Sequence, residues 1–125
     1  RRREELYNQS YDNLGRYMQR GLLDPKTHEQ AAALLRLWEQ IEQNRKGMTE
    51  ANAERERIFK SQQQIQSNMQ ALSSTGTECE LRSRYVDELQ ASERRLKELD
   101  QSESNLKAAI EKLEREIEKR LAALA

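Results

Sequence analysis

The chain has 125 residues, 35% of them apolar and 35% charged, with 22 basic and 22 acidic side chains, 5% aromatics, four Gly and one Pro. So few aromatics make a thick globular core hard to build, and balanced charge gives no net field to draw nucleic acid or anionic lipid. No stretch approaches the roughly 20 apolar residues of a membrane span, and no apolar signal core follows the N-terminus.

The chain opens on the arginine triplet Arg1 to Arg3, largely neutralised by Glu4 and Glu5. It starts without Met and inside a charged helical pattern, so the expectation is a piece of a longer protein. Tyr7, Tyr11, Leu14 and Met18 follow at spacings of four and three, which lines up one apolar stripe. This predicts a first helix over roughly Glu4 to Arg20, within an N-terminal segment 1–22, with Gly21 where a C-cap glycine belongs.

Asp24-Pro25 opens the second helix, because an Asp N-cap satisfies an orphan N–H and proline's fixed φ suits the first helical position. A heptad then places Leu34, Ile41, Met48, Arg55, Gln62 and Met69 at position a, and Leu37, Asn44, Ala51, Ile58, Ile65 and Leu72 at position d. An unbroken phase over about 40 residues implies a rod of roughly 60 Å at 1.5 Å per residue. Ser73-Ser74-Thr75-Gly76 breaks the pattern, and Thr77-Glu78-Cys79-Glu80 reads as a capping box. The returning heptad carries Arg82, Leu89, Leu96, Glu103, Ile110, Ile117 and Leu124 at a, with Tyr85, Ser92, Leu99, Leu106, Leu113 and Arg120 at d.

A loop this short makes neighbouring helices antiparallel. The fold class is therefore all-α: a long antiparallel two-helix coiled-coil hairpin over 24–125, with helices at about 25–72 and 78–124, a loop at about 73–77, and the short N-terminal helix packed at the open end. Layering a against d allows the numbers of facing seam residues to sum to about 154 or 147; the second sets Arg45 near Lys107, and the first is preferred. This sets Gln62 against Ser92 as a self-satisfying polar layer, Ile65 against Leu89, Arg45 beside Glu114, and Trp38 beside Leu121.

The usual carriers of chemistry are sparse. His28 and Cys79 stand at opposite ends of the long helix without local partners, and no zinc spacing, phosphate loop or Ser-His-Asp arrangement occurs. No cofactor, metal, small-molecule substrate or catalytic residue is expected. A single cysteine favours a reducing compartment such as the cytoplasm. More informative are the polar residues that interrupt the seam, Asn44, Arg55, Gln62, Ser92 and Glu103, which are candidates for setting register, and Arg120 near its end. Trp38 and Phe59 occupy position e beside the seam, with Val86 and Leu121 on the same flank of the third helix. This flank is the candidate interaction surface. Its open end, at Trp38 and Leu121, suits the stripe of the first helix.

The stretch Arg55-Glu56-Arg57-Ile58-Phe59-Lys60-Ser61-Gln62-Gln63-Gln64-Ile65-Gln66-Ser67-Asn68-Met69, with Arg84-Tyr85 and Leu89 beyond the loop, resembles the C-terminal helical part of the bacterial family called domain of unknown function 4139. The resemblance covers about the last 100 residues and implies a coiled coil following a β-rich domain. Where that family carries arginines ahead of the Asn68 position, this run carries uncharged polar residues. The expected function is a non-catalytic structural or protein-interaction module of a larger bacterial protein, whose partner is another protein or a second copy forming a homodimer. The alternative is a nucleic-acid-binding helical arm, which the zero net charge disfavours.

Overall fold

A computed structural model describes residues 2–21, 24–72 and 77–124, except for the side chains of 2–7, 10, 77 and 124. These residues form three helices and no strand: α1 (Arg2–Gln19), α2 (Pro25–Gln70) and α3 (Thr77–Leu124). α2 and α3 pack against each other as the antiparallel hairpin, and α1 is the short additional helix. The arginine triplet, the stripe's first member Tyr7, the loop residues 73–76 and the capping side chain of Thr77 lie outside the described residues or side chains.

The local signals act where the sequence places them. Gly21 has φ 65 and donates its N–H to the Met18 carbonyl at 3.2 Å, one of the two bonds of a Schellman-type helix end. Asp24 Oδ1 accepts the Thr27 N–H at 2.8 Å, while its carbonyl accepts from His28 at 2.7 Å. The hydrogen bond from Thr27 holds the Asp24 carboxyl below its ordinary range, as expected of an N-cap.

α2 stops at Gln70, two residues before the predicted end. Its last N–H groups, on Ala71 and Leu72, turn to the carbonyls of Asn68 and Met69 three residues back. Arg82 then reaches back from α3, and its Nη2 donates to the carbonyls of Met69 at 2.9 Å and Leu72 at 2.8 Å. A guanidinium on orphan carbonyls at a helix C-terminus satisfies acceptors that no N–H can reach and complements the helix dipole. Arg82 falls at seam position a, yet its task is to close the end of α2.

Of the predicted a and d positions with described side chains, only Arg120 is exposed. It bonds Glu116 one turn back on its own helix at 3.0 Å instead of entering the seam. Contacts divide the chain into two compact units: residues 1–46 with 107–125, and residues 47–106.

The first unit joins α1 to residues 25–46 of α2 and residues 107–124 of α3. Its core is Ala31, Leu34, Trp38, Ile41, Ile110 and Ile117, with Leu34, Ile41 and Ile117 the most completely enclosed. Ala31 and Trp38 sit at position e, outside a two-helix seam, and are buried because a third helix is present. On α1, Tyr11, Leu14, Gly15 and Met18 are half-buried, whereas the other described side chains are exposed, so the predicted stripe is the packing face.

The second unit is the hairpin from Gly47 to Leu106, with Ala51, Ile65 and Leu99 buried. A Cβ on Gly47 would stand 3.1 Å from Leu106 Cδ1, so the facing leucine packs directly on α2 backbone. That approach, like the pairing of Glu54 with Arg95, belongs to the register whose seam numbers sum to about 154.

Candidate interaction surface

Polar seam residues of the second unit have defined partners, several of them on the facing helix. Arg55 donates from Nη1 to Asn52 Oδ1 on its own helix, and from Nη2 to Asp100 Oδ1 at 2.9 Å and Glu103 Oε2 at 2.5 Å on α3. Glu103, followed by Asp100, raises the Arg55 pKa against the opposing effect of burial. On the opposite flank Arg95 grips Glu54 with two parallel bonds, Nε to Oε2 at 2.6 Å and Nη2 to Oε1 at 2.9 Å. This fork-to-fork geometry lowers the Glu54 pKa.

Gln62 and Ser92 do not form the self-contained layer expected of them. Gln62 Nε2 donates to Glu93 Oε1 at 2.9 Å, because an ionised carboxylate one residue further is a stronger acceptor than a hydroxyl. Ser92 Oγ donates to the Glu88 carbonyl at 2.9 Å, the usual recourse of a serine inside a helix. Asn44, the remaining seam polar residue, is half-buried in the first unit.

The four proposed flank residues separate into two kinds. Trp38 is 3% exposed, and Tyr11 of α1 meets it edge-on, ring centroids 6.3 Å apart at 84°. It is spent within the chain as core and is not a surface for partners. Leu121 stays 37% exposed, so the expected covering by α1 holds at Trp38 and not there. α1 lies along α2, and the two bound an open groove of about 760 Å³ that includes Tyr11, Asp12, Trp38, Glu39, Glu42 and Lys46. Phe59 and Val86, 42% and 38% exposed, are the large apolar side chains that the second unit leaves to solvent among its described residues. Position e is thus covered at Ala31 and Trp38 in the first unit and open at Asn52, Phe59 and Gln66 in the second.

Around Phe59 and Val86 the sequence carries a signal that heptad reading passes over. From Ser61 to Thr77 no Asp, Glu, Lys or Arg occurs, in a chain where 35% of residues are charged. The exposed residues of α2 there include Gln63, Gln66 and Gln70, and α3 adds Ser83 and Gln90 on the same flank as Val86. Charges border this patch: Glu56 lies one turn before Phe59, and Glu93 on α3 is the acceptor for Gln62.

Among the described residues no three His, Cys, Asp or Glu side chains gather as a metal site, and no helix is long and apolar enough to cross a membrane. Cys79 is a free, exposed thiol and His28 is exposed. Comparison with protein-family models, curated proteins and solved structures finds no match to the chain.

Proposed function

We propose that the chain is a non-catalytic interaction module, a helical hairpin of a larger bacterial protein that presents the flank of Phe59 and Val86 to a protein partner. The observation that carries this reading is the contrast along position e. On α2, Ala31 and Trp38 are buried in the unit that contains α1, whereas Phe59 at the same heptad position of the second unit is exposed; on α3, Val86 is exposed as Leu121 is. Exposed apolar residues on one face of an otherwise charged surface are what partner recognition uses. The resemblance to the coiled-coil part of domain of unknown function 4139 is consistent with an arm attached to another domain.

The test is deletion of residues 47–106 from the full-length protein, followed by quantitative affinity purification beside the intact protein and a Phe59→Ser, Val86→Ser variant. A specific protein, or a second copy, is expected to be lost in both altered forms. Retention of every associated protein by both would refute the proposal.

A further inference from the structure

The two units use the same seam differently. From Gly47 to Leu106 the hairpin is a compact unit of two helices, and it leaves position e of α2 exposed at Asn52, Phe59 and Gln66. The first unit has a seam of the same kind, with Leu34, Ile41 and Ile117 at position a and at most 1% exposed. Its α2 also carries its own N-cap at Asp24, which bonds Thr27 and takes nothing from α1. A hairpin of this kind closes without a third helix. What α1 adds is cover for position e, where Ala31 is 2% and Trp38 3% exposed.

α1 is held to that flank more lightly than α2 and α3 hold each other. Of its described side chains none is fully buried: Tyr11, Leu14, Gly15 and Met18 are half-buried and the rest are exposed. Tyr11 meets the Trp38 ring edge-on, and its hydroxyl donates to Glu39 Oε1 at 3.5 Å, long for a hydrogen bond. Gly15 lies inside the helix on its packing face. At Gly47 a close neighbour accounts for the glycine, whereas a Cβ on Gly15 would meet nothing within 4 Å. Relative to alanine, glycine there lowers the helix equilibrium roughly fivefold and gains no packing in return. A helix of 18 residues with an interior glycine is marginal alone in water, so α1 is either docked and helical or released and unfolded.

We infer that α1 is a releasable strap over Trp38: it leaves the first unit as one cooperative piece while the hairpin stays closed, and its departure turns Ala31 and Trp38 from core into apolar surface. Moving elements are drawn from the least stable parts of a fold, and α1 has that character by its half-buried face and its unrewarded glycine. With the strap down, position e of α2 offers one large apolar residue to solvent, Phe59; with the strap up, it offers Trp38 as well. The strap therefore sets how much apolar surface the chain presents. It concerns a contact within the chain, and so stands apart from the interaction reading above.

The experiment is native-state thiol labelling of the whole chain in a Cys79→Ser background. One reporter cysteine is placed under the strap, Ala31→Cys, or in the seam of the second unit, Ala51→Cys, and each rate is referred to that of the same thiol in the unfolded chain. The reporter at 31 is expected to label at least tenfold faster than the reporter at 51. Gly15→Ala should slow labelling at 31 about fivefold and Tyr11→Ala should speed it at least tenfold, both leaving labelling at 51 unchanged. Amide exchange of the parent chain gives a second readout free of introduced thiols. The amides of Tyr11, Leu14 and Met18 are expected to share one protection factor and to gain protection together in Gly15→Ala. Equal labelling at 31 and 51 would overturn the inference, because α1 would then open only with the hairpin. So would labelling at 31 that ignores both substitutions, or protection that climbs steadily from Tyr11 to Met18, the mark of a fraying terminus and not of a strap.

Discussion

Gly47 sits well inside a 46-residue helix, where glycine ordinarily costs about 1 kcal/mol relative to alanine. On propensity alone, Gly47→Ala should stabilise the chain by about that amount. The added methyl, however, would lie 3.1 Å from Leu106 Cδ1 and 3.6 Å from Cδ2. Carbon pairs prefer about 3.5–4.0 Å, so the nearer contact is short by roughly 0.4 Å or more. Leu106 must leave its rotamer or the helices must part, and overpacking of this kind costs about 1–3 kcal/mol. The expected result is a variant between neutral and about 2 kcal/mol less stable. In a Leu106→Ala background the obstruction is gone, and the same substitution should recover the full gain of about 1 kcal/mol. Urea unfolding of the four chains, at matched concentration and followed by circular dichroism, yields the coupling directly. Its expected size is about 1–3 kcal/mol, as for side chains in contact. A gain of about 1 kcal/mol in both backgrounds would show that the close approach has no energetic weight and would refute the packing argument.

Ile65 is 7% exposed at seam position d, so Ile65→Asp would bury an unpaired carboxylate at a cost of several kcal/mol; an unchanged thermal melt would contradict the seam assignment. Arg82→Ala strips charged donors from two helix-end carbonyls and should cost about 1–3 kcal/mol, whereas Arg84→Ala, on an exposed neighbour, should cost far less in the same melts. Glu54 is held below its ordinary pKa of 4.5, first by its hydrogen bonds from Arg95. A folded-state pKa below the unfolded one means that stability is present above about pH 4.5 and is lost as pH falls through the folded value. Acid titration of the thermal midpoint should therefore fall less steeply below pH 4.5 in Glu54→Gln than in the parent chain. Equal slopes would remove Glu54 from the account.

The hairpin was legible because its Leu, Ile and Met positions keep heptad phase and because Gly21, Asp24 and Pro25 punctuate it by mechanisms local to the backbone. Three features were hidden for physical reasons. Ala31 reads as an ordinary helix-forming residue, and only the arrival of α1 buries it. Arg82 reads as a seam interruption, because nothing in a heptad says that a guanidinium can span back to carbonyls ten and thirteen residues earlier. Gln62 and Ser92 read as facing partners, yet pairing follows acceptor strength and reach more than level along the axis, so each found another bond. The flank residues were named from their position beside the seam. Which of them remain available depends on α1, which covers Trp38 and leaves Phe59, Val86 and Leu121 exposed.

The bond from Arg82 to the end of α2 also bears on the order of events in folding. The contact joins residues only ten to thirteen apart, so the loop it closes is short and its entropic cost small compared with pairings nearer the open ends. Proteins dominated by such near-neighbour contacts fold fast, and their transition states form around them. The carbonyls that end α2 obtain these donors only when the first turns of α3 have arrived beside them. Ending one helix and starting the return are therefore coupled through one side chain, and a seam closing outward from that point meets its smallest loop-closure cost first.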